Sequence, residues 1–216
     1  MNQVAKLKPL EKAPFFTINT VKSLFEAKDN SLFSNVVRWE NDEVLLRLMR
    51  GTYTTRAFYS NLDTVSKNSY PEFLSNRLCQ PSYLSMEYVL QKASILTESV
   101  FSYTAITLKT KRVIRNKFGN FIYYGIKKEL FTGFRIENRG VFEVAVATKA
   151  KALFDYLYLK LYRTPKITKA LVESFRLNLL EITDKDLQEF GYYCNLSGQE
   201  KYMFLLTILK ELKDGY

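Results

Sequence analysis

Apolar and polar positions along this chain change period several times, and each change marks an element. Ile18, Val21, Leu24 and Phe25 fall on one helix face behind Thr17, a residue type that caps helix starts, so a helix is expected to about Ala27. Lys28-Asp29-Asn30 reads as a tight connection, and Leu32, Phe33, Val36 and Val37 then form a second apolar stripe. Two strand-like runs follow, Val44 to Met49 and Thr52 to Phe58, around Arg50-Gly51. Helix, turn, helix and hairpin in this order predict a winged helix-turn-helix. Upstream, residues 1–14 are interrupted by Pro9 and Pro14, which leaves room for a short helix at most.

Beyond the hairpin, Asn61 to Pro71 is polar and reads as a linker. Helices are expected from about Glu72 to Leu78 and from Ser85, its N-cap, to about Ile95. Tyr103 to Leu108 alternates like a strand, and Asn120 to Ile126 is β-branched and aromatic, with Phe118-Gly119-Asn120 as the turn of a hairpin. One helical turn at Lys127 to Phe131 precedes two strands, Thr132 to Glu137 and Gly140 to Ala147. Thr148 then caps a helix with Ala152, Leu153, Tyr156, Leu157 and Leu161 at helical spacing. After Pro165 the pattern is helical: about Ile167 to Leu177, a helix from Thr183, and one opened by a capping box at Ser197-Gly-Gln-Glu200. Its stripe is Tyr202, Leu205, Leu206, Leu209 and Leu212.

The expected fold class is α+β: an N-terminal winged helix-turn-helix over residues 1–65, then over 66–216 a mixed, mainly antiparallel sheet with packed helices and a helical C-terminus. A composition of 47% hydrophobic residues and 216 positions is enough for two modest cores. The net charge of +10 is uneven: residues 1–65 hold 9 basic and 7 acidic side chains, 66–165 hold 16 and 7, and 166–216 hold 7 and 8. A cationic middle of this size favours nucleic acid or an acidic protein as partner.

Much of that excess lies in Lys109-Thr-Lys-Arg-Val-Ile-Arg-Asn-Lys117. Strand alternation would put Lys109, Lys111, Arg115 and Lys117 on one face and Thr110, Arg112 and Ile114 on the other. Two readings stand: an edge strand guarded by its cations, or a docking surface for a polyanion or an acidic protein. In the N-terminal part, the face left over by the second apolar stripe presents Ser31, Ser34, Asn35, Arg38 and Asn41, short polar groups and one arginine able to meet base edges in a major groove. Arg47, Arg50 and Arg56 lie on or beside the hairpin, within reach of phosphates. These residues, with Lys109, Lys111, Arg112, Arg115 and Lys117, are the expected DNA contacts.

The chain has no histidine, which removes the commonest general base and metal ligand. Cys79 and Cys194 belong to no ligand-like cluster and read as buried thiols. No catalytic residue, metal site or cofactor is expected. A metal-dependent nuclease built on Glu87, Glu137 or Glu143 with Lys149 or Lys151 is the enzymatic alternative. With no apolar run of spanning length and no leader-type start, the expectation is a cytoplasmic protein without a membrane partner.

Four segments resemble the AbiEi family antitoxins of bacterial type IV toxin-antitoxin systems. Leu48-Met-Arg-Gly-Thr-Tyr53 is similar to the family's strand-Arg-Gly-x-Tyr turn, and Pro81-Ser-Tyr-Leu-Ser-Met-Glu-Tyr-Val-Leu90 to its Pro-Ser-Tyr-(Ile/Leu)-Ser-x-Glu-x-x-Leu stretch. The segment from Thr104 to Tyr124, with Thr107, Lys111 and Phe118-Gly-Asn-Phe121, looks like its Thr-x-x-(Lys/Arg)…Phe-Gly-x-(Phe/Tyr) hairpin. Ala147-Thr-Lys-Ala-Lys-Ala-Leu-Phe-Asp155 resembles its Ala-Thr-x-x-Lys-Ala-Leu-x-Asp helix start. The resemblance covers roughly residues 15–161. It implies a winged-helix domain that represses its own operon by binding the operator's double-stranded DNA, and a second domain that neutralises a nucleotidyltransferase-like toxin. A stand-alone transcriptional regulator with the same folds is the other non-enzymatic reading.

Overall fold

The computed structural model describes residues 3–25 and 29–215, with the side chains of residues 3 and 29–31 outside that description. The fold is α+β and divides into two compact units, Met1–Pro71 with Ile114–Gly119, and Glu72–Val113 with Asn120–Tyr216. Among the described residues no helix is long and apolar enough to cross a membrane.

In the first unit, Gln3–Lys12 winds into a 3₁₀ helix that contains Pro9 and buries Leu7 and Leu10. The strand β1 (Phe16–Thr17) leads into α1 (Ile18–Phe25), α2 (Asp29–Asn41), β2 (Leu45–Met49) and β3 (Thr52–Thr55). These strands form one small antiparallel sheet in the order β1-β3-β2. Gly51 makes the β2–β3 turn at φ +73°, a conformation that carries little cost only without a Cβ. The core gathers Phe16, Val21, Leu32, Val36, Trp39, Leu45 and Tyr53. Two elements depart from expectation. The second strand run ends at Thr55, not Phe58, because the Thr55 hydroxyl accepts from Phe58 N at 3.0 Å and caps α3 (Arg56–Asn61). On α2, Leu32, Val36 and Trp39 form the buried stripe, whereas Phe33 and Val37 are 50% and 57% exposed.

The segment expected as a linker is helical, with α4 spanning Thr64–Leu78. Its polar residues satisfy the helix from within: Asp63 accepts from Ser66 N at 2.7 Å at the start, and the Ser69 hydroxyl donates back to Val65 O at 3.0 Å. Tyr70 of this helix donates to Pro14 O at 2.6 Å.

The second unit carries a six-stranded mixed sheet in the order β6-β7-β5-β4-β9-β8. In chain order its elements are β4 (Ser82–Leu84), α5 (Met86–Lys92), β5 (Ser102–Thr107), β6 (Arg112–Asn116), β7 (Gly119–Gly125), β8 (Phe134–Arg139), β9 (Phe142–Ala147) and α6 (Lys149–Lys160). Then come α7 (Lys169–Glu173), α8 (Asp184–Leu196) and α9 (Glu200–Asp214). Pairing is parallel for β4–β9 and β5–β7 and antiparallel for β4–β5 and β8–β9, so the sheet is mixed. β4 pairs with β9 at Leu84 and Val146, which leaves the amide N–H of Ala145, in β9, for a side chain. Asn76 supplies it, accepting from Ala145 N at 2.6 Å and donating to Ala145 O at 3.4 Å.

Two caps differ from expectation. Ser85 stands before α5 but spends no bond on it; instead the Thr104 hydroxyl, from β5, accepts from Tyr88 N at 3.0 Å. Ser197 ends α8, donating to Cys194 O at 2.6 Å, and α9 starts without a side-chain cap. The capping box lies one helix earlier, at Thr183 and Asp186. The apolar stripes of α6 and α9 are buried as spaced, except Leu212, which is half-buried. Both cysteines are buried thiols.

Candidate nucleic-acid interface and a buried ion pair

On α2 the residues opposite the core stripe come to the surface together: Phe33, Ser34, Val37, Arg38 and Asn41 are exposed, and Asn35 is half-buried. Arg38 Nη2 donates to Asn35 Oδ1 at 3.2 Å, which pre-orients both groups. The side chain of Ser31 lies outside the described residues. Arg50 projects, exposed, from the hairpin turn. The other predicted arginines are engaged with acids. Arg47 faces Glu40 at 3.8 Å, and Arg56 donates to Glu43 O at 3.2 Å and pairs with the Glu43 carboxylate.

The strand within the predicted ribbon is shorter than the cationic run, spanning Arg112–Asn116. Thr107 Oγ1 donates to Pro81 O at 2.7 Å and accepts from Lys109 N at 3.3 Å, a local bond that turns the chain out of β5. Lys109 and Lys111 therefore stand in the connection to β6, and β7 lies between β5 and β6. Of the five cations only Arg112 and Arg115 are strand residues, both exposed. Lys111 sits over the Tyr124 ring at 5.0 Å, a cation–π contact. Lys117, in the turn, is 3.7 Å from Glu43, while Asn116 donates to Leu48 O at 2.8 Å and Phe118 packs edge-on against Tyr59 and Tyr70. Partial burial, then the nearby Arg56, lowers the Lys117 pKa.

A second constellation is buried. Thr148 caps α6 by accepting from Lys151 N at 3.1 Å, and one turn on Lys151 reaches Asp155; both side chains are fully buried and ion-paired. Asp155 also accepts from Ser85 Oγ at 2.7 Å and Tyr83 OH at 3.0 Å. The rings of Phe154, Tyr193 and Tyr83 surround the ammonium at 5.1, 5.1 and 5.8 Å. Burial pushes the Asp155 carboxyl up, against the pull of Lys151, Ser85 and Tyr83, and pushes the Tyr83 hydroxyl well above its ordinary value. Gly133, at φ +76°, is required beside this pair, because a Cβ there would overlap the Tyr193 ring and come within 2.9 Å of Lys151.

Five other cations of the middle segment are also matched. Lys92 and Arg139 pair with the buried Glu72, Arg135 and Arg139 with Glu137, Lys149 with Asp186 and Lys160 with Glu87. Of the groups of the nuclease alternative, Glu87, Glu137, Lys149 and Lys151 thus sit in separate pairings and Glu143 is exposed on β9, and no group of three or more Cys, Asp or Glu residues among those described could hold a metal ion. Sequence reasoning missed Glu72, Asn76, Glu189 and Tyr193. Glu189 accepts from Thr148 Oγ1 at 2.6 Å and Tyr193 OH at 2.7 Å, and only the fold shows it. The exposure of Phe33 and Val37 had a legible signal, since Trp39, three positions after Val36, completes a stripe that excludes them.

The segments carrying the family resemblance interlock. Tyr83 and Ser85 bond Asp155, Thr107 bonds Pro81 O, and Asn116 bonds Leu48 O. No protein-family model and no curated protein matches this chain.

Proposed function

We propose that this chain is a DNA-binding autorepressor and antitoxin of the AbiEi type, reading its operator through α2 and the β2–β3 hairpin and neutralising a nucleotidyltransferase-like toxin. The observation that carries the DNA-binding half is the exposed face of α2. It places Ser34, Arg38 and Asn41 beside Phe33 and Val37, a mixture suited to base edges and thymine methyl groups in a major groove. The order 3₁₀ helix, β1, α1, α2, β2, β3, with its three strands in one sheet, is compatible with a winged helix and supports the same reading. Arg50, at the hairpin turn, is available for a phosphate.

The antitoxin half rests on the resemblance. Its support is that two residues from separate motifs, Ser85 and Asp155, 70 positions apart, serve one buried network. Binding of the chain to DNA from upstream of its own gene, measured by gel shift, tests the first half; equal affinity for unrelated DNA would overturn operator recognition. Co-expression with the neighbouring reading frame tests the second. Toxicity of that frame, relieved by this chain, is the expected result, and a neighbour that is harmless alone leaves the stand-alone regulator.

A further inference from the structure

The two ends of the six-stranded sheet differ. At one end β6 presents Arg112 and Arg115, cations that discourage pairing with another strand. At the other, β8 exposes Phe134 and Ile136, the latter to 60%, beside the exposed Val141. We propose that β8 is a homodimer surface, pairing antiparallel with β8 of a second copy about a two-fold axis at Ile136.

The direction of the backbone sets the possible registers. Thr148 N donates to Gly133 O at 3.1 Å, so in the β8–β9 ladder Gly133, Arg135, Glu137 and Arg139 turn their peptide groups inward. Phe134, Ile136 and Asn138 turn theirs to the open edge. Ala145, opposite Ile136, agrees: its peptide groups also point away from the pair, where Asn76 takes them. A symmetric pairing must join outward residues to outward residues. Centred on Arg135 it opposes two arginines; centred on Glu137 it opposes two glutamates and sets Arg135 against Arg139. Centred on Ile136 it places Arg135 across from Glu137 of the other copy twice, with Ile136 against Ile136 between them on the opposite face. This register is self-complementary in charge and in apolar surface, as an isologous contact requires. A strand pair buries less than about 1,200 Å², the lower bound of stable interfaces, so the dimer is concentration-dependent.

Sedimentation equilibrium of the full chain over a range of concentrations tests the proposal. The expected mass doubles from 25.3 kDa as concentration rises. Arg135→Glu alone and Glu137→Arg alone place like charges opposite each other and should stay monomeric, whereas an equimolar mixture of the two variants should dimerise again, because each supplies the charge the other lacks. Glu137 also binds Arg139, so should Glu137→Arg not fold, Ile136→Asp takes its place and should abolish the dimer. A wild-type chain that stays monomeric throughout, single variants that still dimerise, or a mixture that does not, overturns the assignment.

Discussion

Arg38 and Lys151 carry the same charge on helices with opposite surroundings: α2 has an exposed face, whereas α6 is buried all round from Ala150 to Tyr158. Arg38 is exposed on α2 and donates to the neutral Asn35, so its guanidinium stays hydrated and available to a partner. Lys151 is fully buried on α6, matched by Asp155 and three aromatic rings, and has nothing left to offer outside the protein. A basic excess is therefore two populations. One stabilises the fold through pairs such as Lys151–Asp155 and Arg139–Glu72; the other, Arg38, Arg50, Lys109, Lys111, Arg112 and Arg115, is the part that can act on a polyanion.

The largest test of this contrast is Lys151→Ala. It strands a buried carboxylate and is expected to cost about 3–5 kcal/mol of stability in urea unfolding. Lys151→Met combined with Asp155→Leu should lose much less, because no uncompensated charge remains. A Lys151→Ala protein as stable as wild type would mean that the pair is not structural.

Next in size, Arg38→Ala with Asn35→Ala is expected to weaken operator binding by about 1–3 kcal/mol and to relax sequence preference, with the melting temperature unchanged. Arg50→Ala should weaken all sequences alike. Unchanged gel-shift affinity in the double variant would remove α2 from the interface.

The ribbon gives a smaller effect. Lys111→Glu with Arg115→Glu should flatten the plot of log affinity against log salt by about two units if both residues meet phosphates. Lys117→Ala should change it less, since Glu43 already faces that ammonium. Loss of toxin neutralisation with an unaltered slope would give these cations to the protein partner instead.

The smallest effect is in acid. Burial disfavours the ionised Glu137, but bonds from Arg139 and Arg135 outweigh it and hold the carboxyl below its ordinary value of 4.5; at Asp186, bonds from Thr183 and Lys149 likewise outweigh burial. A depressed carboxylate contributes stability that is present above its unfolded pKa and lost as pH falls through its folded pKa. Stability should therefore decline below about pH 4.5, and Glu137→Gln should flatten that decline. Asp155, shifted upward, acts with the opposite sign, so the difference between wild type and Glu137→Gln is the quantity to measure.

Local signals carry much of this architecture. Gly51 in its turn, Thr148 ahead of Lys151, and the spacing of Leu153 and Leu157 act within a few residues, so they are legible in the amino-acid order alone. The α2 face is half legible. Ser34, Arg38 and Asn41 stand at the surface as their polarity predicts, while Phe33 and Val37 mimic core because an i, i+4 apolar pair fits two faces until Trp39 selects one. The polar stretch before Pro71 reads as a linker because its hydroxyls, which bond back into α4, look the same in sequence as hydroxyls left to solvent.

The α+β class, the order of most elements, the hairpin turns and the charge of each segment are thus properties of the sequence, since they follow from period and from neighbours close along the chain. Folding in three dimensions was needed to assign Thr104 to the cap of α5 and Ser85 to Asp155, to bring Asn76 to the Ala145 amide, to set β7 between β5 and β6, and to select which cations are matched. Each of these joins residues distant along the chain, and the partner of a charge or hydroxyl is set by what the fold brings within about 3 Å of it.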